Sequence, residues 1–345
     1  MEVINSQTNN NSLAEVAVLM PVYNAEKHLR EAIDSILNQT YTAFDFYIVN
    51  DGSTDGSEEI ILSYKDPRIR YLKNEVNSGI VKTLNVGLEA ITAKYIVRMD
   101  SDDLAVPNRI EWQKKFMDEH PDVGVSSGHY EIFERDTGVV KLFLRNKEIK
   151  SFMIFGSPIG HSAAILRNSV LKQYRLVYRS VYPHMEDYDL WFRMKDLTNF
   201  GNVNKVLLKY RVTGNNVTIQ NYETSLERRF KLFQVILKTI DIDLTHKDFQ
   251  LHNGFNTDQV TPIKEKIVQY RHWLDTLRQK NAKHHAFPEK ELNEHLKKKW
   301  ERVFYETADH GLAPLLTFWK ASKKIRLKEL IYFFKISVNK LIQKK

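Results

Sequence analysis

The stretch that decides the fold runs from Val16 to Ser53 and reads VAVLMPVYNAEKHLREAIDSILNQTYTAFDFYIVNDGS. It opens with a short apolar run typical of a buried strand, and a segment with apolar residues at helical spacing follows. A second apolar run, from Phe44 to Val49, ends in the polar turn Asn50-Asp51-Gly52-Ser53. A strand, a helix and a strand joined by short connections are typical of parallel strands linked by a crossover helix.

The same alternation continues to about residue 120. Further strands are predicted at Ile69–Leu72 and Tyr95–Met99, and a helix is predicted to begin at Ser78-Gly79. Pro107 suits the first turn of the next helix, where its missing N–H costs nothing. The pattern predicts an α/β fold with a mostly parallel sheet and helices on both faces.

Beyond residue 120 the alternation weakens. Strands are predicted at Val123–Phe133, Val139–Leu144 and Val206–Arg211, a helix begins near Glu186, and from Tyr222 onward the pattern is almost entirely helical. We therefore predict four segments: a polar N-terminal tail (1–13), an α/β domain (14–220), a mainly helical C-terminal extension (221–319) and a basic amphipathic tail (320–345).

The charge of the chain is concentrated in that tail. The 345 residues carry a formal net charge of +8, and 42% of them are hydrophobic, which is ordinary for a globular protein. Segment 320–345 contains nine Lys or Arg and one Glu, so its own charge equals that of the whole chain. The remaining residues are formally neutral, which argues against a general nucleic-acid-binding surface.

The composition also limits the compartment. The chain has no cysteine, which excludes disulfides and thiolate metal sites and suits a reducing environment. The first residues are polar and resemble no secretory signal, and no apolar segment is long enough to span a bilayer. We expect a cytoplasmic protein, either soluble or peripheral on the inner face of the cell membrane.

Polar residues follow three of the predicted strands directly. They are Pro21-Val22-Tyr23-Asn24, Asn50-Asp51-Gly52-Ser53 and Asp100-Ser101-Asp102-Asp103. Because ligands bind beyond the carboxyl ends of parallel strands, these groups predict a binding site at one edge of the sheet. Three carboxylates so close together repel one another, so either solvent or a bound cation must offset that repulsion. The alternative is that all three cap the helix after Pro107 and face water.

Five motifs in order carry a resemblance to a known family. They read VLMPVYNAEKHLREAIDSILNQTY, YIVNDGSTDGS, NSGIVKTLNVGLEAITAKYIVRMDSDD, MEDYDLWFRM and VLLKYRVTGNNVT. Over about residues 14–220 the chain resembles the family 2 glycosyltransferases, which have the GT-A fold. Within that family it is similar to bacterial enzymes of lipopolysaccharide or capsule synthesis. A weaker similarity links it to β-1,3-galactosyl and N-acetylgalactosaminyl transferases.

This resemblance implies an inverting transfer of a hexose or N-acetylhexosamine. The donor would be a UDP-sugar, and the acceptor a hydroxyl of a saccharide, free or lipid-linked, in lipopolysaccharide, lipo-oligosaccharide or capsule synthesis. It also implies Mn²⁺ or Mg²⁺ bound by Asp102, with Asp100 on the ribose or in the metal shell. Asp187 is implied as the catalytic base, since the helix N-terminus there would stabilise its ionised form. Asp103 has no assigned role at this stage.

The nucleotide-sugar pocket is expected at the strand ends. Family members often have an aspartate where this chain has Asn50, whose amide oxygen would accept the uracil N3–H without charge assistance. Tyr23 would pack on the base or belong to the core, and Lys82 is equally well explained as a solvated helix residue. The expected nucleotide-sugar residues are Pro21, Val22, Tyr23, Asn50, Asp51, Asn77, Lys82, Arg98, Asp100 and Ser101.

On the acceptor side we expect Glu186, Trp191 and His161. Trp191 fits a core position as well as an acceptor wall, and His161 fits a structural role equally well. Two other functions stay open: a sugar nucleotidyltransferase, and a non-catalytic saccharide-binding or assembly protein on a transferase fold. The intact carboxylates at Asp102 and Asp187 argue against the second of these.

The C-terminal tail has the pattern of an interfacial helix. The apolar residues Leu330, Ile331, Phe334, Val338, Leu341 and Ile342 suit one helical face, and lysines surround them. We expect this tail to bind an anionic membrane surface. A helix packed on its own domain, or one that forms a dimer, is the alternative.

Overall fold

The computed structural model describes residues 14–213, 222–255 and 264–342, so the predicted polar tail 1–13 lies outside it. The chain divides into two compact units. The first comprises the described residues up to 150 together with 157–229, and the second comprises 151–156 together with the described residues from 230 onward. The short segment 151–156 thus belongs to the second unit, although it lies within the α/β part of the sequence.

A nine-stranded sheet forms the centre of the first unit. Its strands are β1 (Val16–Val22), β2 (Phe44–Asn50), β3 (Ile69–Lys73), β4 (Tyr95–Arg98), β5 (Leu104–Ala105), β6 (Val123–Glu134), β7 (Gly138–Val140), β8 (Ile165–Arg167) and β9 (Asn199–Val212). Their order is β3-β2-β1-β4-β8-β6-β9-β5, with β7 paired to β6.

The sheet has a parallel half and a mixed half. Strands β3, β2, β1 and β4 are all parallel, and every residue of β1 is buried, as expected for a strand covered on both faces. Beyond β4, only the β6–β9 pair is parallel, whereas β8 and β5 run antiparallel to their neighbours. The predicted α/β class is confirmed, and the mixed half is a feature that the sequence pattern did not indicate.

Among the described residues before position 200, seven helices accompany the strands. They are α1 (Leu29–Leu37), α2 (Ser57–Ser63), α3 (Ile80–Ala90), α4 (Arg109–Glu119), α5 (Asn146–Phe152), α6 (Asn168–Gln173) and α7 (Glu186–Met194), with one 3₁₀ turn at His161–Ala163. Pro107 was predicted in the first turn of α4, but it lies outside the helix: α4 begins at Arg109, and Asn108 stands between the two residues.

The strand predicted at Val139–Leu144 is shorter in the structure, ending at Val140. After that point the backbone is held by groups outside the strand ladder. The Leu142 N–H donates to His129 Nδ1 at 3.1 Å, and the Phe143 carbonyl accepts from Asn202 Nδ2 at 2.7 Å. Side-chain partners have therefore replaced a strand neighbour in this segment.

From Tyr222 onward all regular structure in the described residues is helical, as predicted. The helices are α8 (Tyr222–Lys238), α9 (His246–Gly254), α10 (Lys264–His284), α11 (Glu289–Ala308), α12 (Leu312–Ser322) and α13 (Leu327–Ile342). Buried apolar side chains such as Leu277, Leu296, Val303 and Phe318 form the core of the second unit. No helix in the described part of the chain is both long and apolar enough to cross a membrane.

Gly52, in the turn after β2, is needed for its backbone. Its φ is +65°, and a Cβ atom there would lie 2.6 Å from the carbonyl carbon of Val76. The turn can therefore approach the 74–79 loop closely only because residue 52 has no side chain.

We predict that Gly52→Ala lowers the free energy of unfolding by more than about 1 kcal/mol, since both the positive φ and the backbone contact oppose a methyl group. Urea denaturation measures this change. Gly156→Ala is the matched control, because its Cβ would meet only Phe152, at an ordinary 3.7 Å. Equal stability of the two variants would contradict the prediction.

Candidate active site

The carboxyl ends of β1, β2 and β4 meet at one edge of the sheet. Val22 is in register with Asn50, and Leu19 with Arg98. The loops that follow are bonded to each other: the Asp51 N–H donates to the Val22 carbonyl at 2.8 Å, and the Thr54 N–H donates to Asn24 Oδ1 at 2.8 Å. The three polar groups predicted from the sequence are therefore brought together.

Three carboxylates lie at this edge, from Asp100, Asp102 and Asp103, and we call them the acidic trio. One oxygen from each lies within 4.8 Å of the others. Burial and the neighbouring Asp100 carboxylate raise the pKa of Asp102 to about 6 and that of Asp103 to about 8. Asp100 forms an ion pair with the buried guanidinium of Arg98, and its N–H donates to Ser162 Oγ at 3.0 Å.

Asp103 is the innermost member of the acidic trio. It is fully buried, and its Oδ1 accepts a hydrogen bond from the Arg211 N–H at 2.9 Å. Its Oδ2 is buried without a hydrogen bond of normal geometry. The alternative that all three carboxylates face water is therefore wrong for Asp103.

These residues fit a hard divalent cation. Mg²⁺ and Mn²⁺ prefer oxygen ligands and bind through carboxylates together with substrate phosphates. A cation would satisfy the buried Asp103 oxygen or relieve the repulsion that raises the pKa values of Asp102 and Asp103. The acidic trio therefore has both the donor atoms and the electrostatic need for a positive ion.

Asp187 lies in the first turn of α7, surrounded by protein but with part of its surface open to solvent. Burial, and then the neighbouring Glu186 carboxylate, raise the pKa of Asp187 to about 7, and Arg98 partly opposes this rise. A carboxylate with a pKa near neutrality can accept and release a proton at working pH. The helix N-terminus was expected to favour the ionised form of Asp187, but burial outweighs its backbone N–H groups, and the resulting pKa near neutrality suits a general base.

Glu186 and Asp189 have different surroundings from Asp187. Glu186 is buried, and its Oε2 has no hydrogen-bond partner in the described structure. Asp189 is paired with Arg179 and with Arg193, whose Nε lies 3.0 Å from Asp189 Oδ2. Asp189 therefore fastens α7, whereas Glu186 keeps an unsatisfied polar atom beside Asp187.

His161 is neutral in this structure, because burial and then the nearby Arg98 lower its pKa well below the usual value. Its Nε2 is hydrogen bonded to the Tyr178 hydroxyl at 3.1 Å. Trp191 is fully buried and meets the His161 ring edge-on at 6.3 Å between centroids. Trp191 thus packs in the core against His161. The Trp191 side chain would have to move out of the core to contact an acceptor.

Asn50 is committed to the turn that follows β2. It is fully buried, its Oδ1 accepts from the Ser53 N–H at 3.0 Å, and its Nδ2 donates to the Tyr71 hydroxyl at 3.1 Å. The sequence predicted that uracil binds this amide. In this structure that contact would require Asn50 to become exposed and to give up its bond to Ser53.

Asp51 organises the loop before α3. Its Oδ1 accepts from Asn74 Nδ2 at 2.8 Å and from the Ser78 N–H at 2.9 Å, and its Oδ2 accepts from the Gly79 N–H at 2.8 Å. Asp51 therefore holds in place the segment that carries Asn77.

The other predicted pocket residues differ in exposure. Tyr23 is 46% exposed, which excludes the alternative that it belongs to the core. Pro21, Val22 and Arg98 are buried, Asn77 and Lys82 are exposed, and Ser101 is partly exposed. The exposed residues can contact a ligand directly, whereas the buried ones support the ligand-facing residues at this edge of the sheet.

Sequence reasoning missed three residues that hold this site together: Arg109, Tyr178 and Arg211. Arg109 is fully buried, and its Nη2 donates to the carbonyls of Arg98 at 2.6 Å and Ser162 at 2.8 Å. Tyr178 binds His161, and its own backbone is held by both amide atoms of Asn85. Arg211 lies in the motif VLLKYRVTGNNVT, and membership of that motif was the one feature of the sequence that could have identified any of the three.

Comparison with known proteins agrees with this geometry. A model described as glycosyl transferase family 2 matches residues 17–175. An uncharacterized glycosyltransferase of Haemophilus influenzae is 34% identical over 224 residues, covering 60% of this chain and 69% of its own. The Escherichia coli UDP-Glc:alpha-D-GlcNAc-diphosphoundecaprenol beta-1,3-glucosyltransferase WfgD is 27% identical over 210 residues, covering 60% of this chain and 81% of its own.

A solved structure shows the same fold. The crystal structure of S. aureus TarS 1-349 in complex with UDP-GlcNAc superposes with a TM-score of 0.56 at 20% identity, covering 90% of this chain and 88% of that one. At that identity the likeness concerns the fold alone. The sequence relatives decide the rest: the chain belongs to the family 2 glycosyltransferases, and it is a nucleotide-sugar glycosyltransferase with the GT-A fold.

Proposed function

We propose that this enzyme is an inverting transferase that moves a hexose or N-acetylhexosamine from a UDP-sugar to a hydroxyl of a saccharide acceptor. The observation that carries the proposal is that Arg98 has carboxylates with raised pKa values on two sides: Asp102 and Asp103 of the acidic trio, and Asp187 of α7. TarS, which was crystallised with UDP and with UDP-GlcNAc, supports a uridine donor. WfgD, which is named for a UDP-Glc donor, supports it as well.

The proposed reaction is an in-line displacement at the anomeric carbon. Asp187 accepts the proton of the acceptor hydroxyl, the acceptor oxygen forms the new bond to the anomeric carbon, and the UDP oxygen leaves with the electron pair. Glu186 keeps the Asp187 pKa raised by its charge and offers its free oxygen to the acceptor. His161, neutral and bonded to Tyr178, contributes a polar but uncharged wall.

The donor diphosphate would lie at the acidic trio. Asp102, with Asp100, would hold Mn²⁺ or Mg²⁺, and such a cation would bind the diphosphate and neutralise the charge of the leaving group. Tyr23 is exposed at the end of β1 and would cover the base. Ser101, Asn77 and Lys82 are open to solvent and would contact the ribose or phosphates.

The proposed setting is the synthesis of lipopolysaccharide, lipo-oligosaccharide or capsule on the inner face of the cell membrane. WfgD, a relative of this chain, is named for an acceptor carried on diphosphoundecaprenol, so a lipid-linked saccharide is a fitting acceptor class. An enzyme that acts on such an acceptor gains from contact with the membrane surface.

The C-terminal tail has the surface for that contact. On α13, Leu327, Ile331 and Phe334 are 73%, 60% and 65% exposed, and their spacing places them on one helical face. Leu330 is only partly exposed, so the predicted apolar face is shifted by the packing of the helix. The side chains of Val338, Leu341 and Ile342 lie outside the described residues.

The charge of the tail favours an anionic bilayer over a second copy of the chain. Glu329, its one acid, is buried and bonded to Arg326, whereas Lys323, Lys324 and Lys335 are exposed. Two such tails would repel each other, but a basic amphipathic surface is attracted to anionic lipid.

We predict that Asp187→Asn lowers kcat by about 10²- to 10⁴-fold with little change in donor affinity, because only the proton acceptor is lost. In the unaltered enzyme, kcat should fall as the pH drops below about 7, where Asp187 becomes protonated. UDP release measures the rate, and the exposed Asp136→Asn is the control. Near-normal turnover in Asp187→Asn would exclude it as the base.

We predict that Asp102→Asn abolishes the Mn²⁺-dependent part of UDP-sugar binding, because the proposed metal loses its main ligand. Calorimetry with and without Mn²⁺ measures this, again with Asp136→Asn as the control. If a chelator leaves donor binding and turnover of the unaltered enzyme unchanged, the metal proposal is wrong.

We predict that the double variant Ile331→Ser, Phe334→Ser loses binding to vesicles of phosphatidylglycerol and phosphatidylcholine, measured by cosedimentation. Binding by the unaltered protein should weaken with added salt, because charge contributes to it. Val235→Ser, Val268→Ser is the matched control, with both residues exposed and apolar. Equal binding by the Ile331 and Phe334 variant, or vesicle-free dimerisation through this face, would contradict the proposal.

A further inference from the structure

Arg211 lies near the end of β9 and is almost fully buried, and none of the donor, metal or acceptor roles proposed above uses it. Its backbone N–H donates to Asp103 Oδ1 at 2.9 Å, and its Nε donates to the Asp102 carbonyl at 2.6 Å. One residue therefore binds two consecutive members of the acidic trio, one through the main chain and one through the side chain.

The rest of the guanidinium is anchored by two carboxylates from other elements. Nη2 donates to Glu31 Oε2 of α1 at 2.6 Å, and Nη1 is paired with Glu134 at the end of β6. The guanidinium carbon Cζ also lies over the Phe133 ring, 4.7 Å from its centroid. These contacts fix the orientation of the fork, so the bond to the Asp102 carbonyl has a defined direction.

Glu134 is held in an unusual backbone conformation. Its φ is +75°, a left-handed value that is costly for a residue with a side chain. Such a strained conformation persists only where surrounding contacts hold it in place. For Glu134 the ion pair with Arg211 is a contact of this kind. The end of β6 is thus built to present a carboxylate to Arg211.

The bonds that Arg211 makes decide how the trio is presented. Asp103 has one oxygen bound by Arg211 and the other buried without a normal hydrogen bond. The backbone of Asp102 is fixed at its carbonyl, which limits the directions its side chain can take. Without these bonds, repulsion among the three carboxylates would drive them apart.

We propose that Arg211 is a positioning residue that holds the acidic trio in the arrangement that binds a divalent cation. The inference rests on the metal site of the proposed function. Arg211 acts from the second layer: it contacts Asp102 and Asp103, and they, not it, would contact the ion.

The inference is tested by measuring the affinity of the protein for Mn²⁺, which does not depend on catalytic turnover. In Arg211→Lys the charge remains, but an ammonium group cannot reproduce the planar fork, and the dissociation constant for Mn²⁺ should rise about 10- to 100-fold. Loss of the free Mn²⁺ signal in electron paramagnetic resonance gives that constant directly. Arg167→Lys is the matched control, since Arg167 also binds main-chain carbonyls, those of Val123 and Met117, at the opposite end of β4.

Glu134→Gln keeps the inference testable if Arg211→Lys does not fold. It leaves Arg211 in place but removes one charged anchor, so Mn²⁺ binding should weaken in the same direction. Unchanged Mn²⁺ affinity in a folded Arg211→Lys or Glu134→Gln variant would overturn the inference and leave the metal site standing. Absence of Mn²⁺ binding by the unaltered protein would overturn the metal site itself, and this inference with it.

Discussion

Repulsion among Asp100, Asp102 and Asp103 is the constraint on which the rest of the site depends. Three carboxylates with oxygens within 4.8 Å of one another, one of them fully buried, need positive charge close by. The protein provides part of it through Arg98, paired with Asp100, and through the guanidinium of Arg211, which opposes the rise of the Asp102 pKa. The pKa values of Asp102 and Asp103 stay raised all the same, so a need for further positive charge remains.

The arginines that meet this need impose demands of their own. A buried guanidinium requires acceptors for its N–H groups, and Arg109 and Arg211 find some of theirs in main-chain carbonyls near the strand ends. Arg109 binds the carbonyls of Arg98 and Ser162, which joins β4 to the 3₁₀ turn that carries His161. The charges of the acidic trio are thus linked, through these arginines, to the hydrogen bonds that fasten the loops around it.

The fold was predictable where its determinants are local. The apolar runs and helical spacings between residues 16 and 105 are continuous enough to identify the parallel half of the sheet. In the mixed half the long strands β6 and β9 were predicted, but the order and direction of its strands were not, because β8 and β5, with three and two residues, gain their place from partners distant in sequence. The same holds for the site. Asp102 and Asp187 could be predicted because they lie in sequence motifs, whereas Tyr178 and Arg109 act through contacts with residues distant in sequence, which no sequence spacing indicates.

The sequence by itself determined the class of the fold, the family of the enzyme and the carboxylates placed at the strand ends, because these depend on residue type and order along the chain. The tertiary structure alone decided which of those groups are open to a ligand: it buried Asn50 and Trp191, left Tyr23 exposed, and surrounded Asp187 until its pKa rose to about 7. It also gave Asp103 a partner in Arg211, 108 positions further along the chain. The physical reason is that burial and charge pairing depend on the distance between atoms in space, which a linear pattern does not contain.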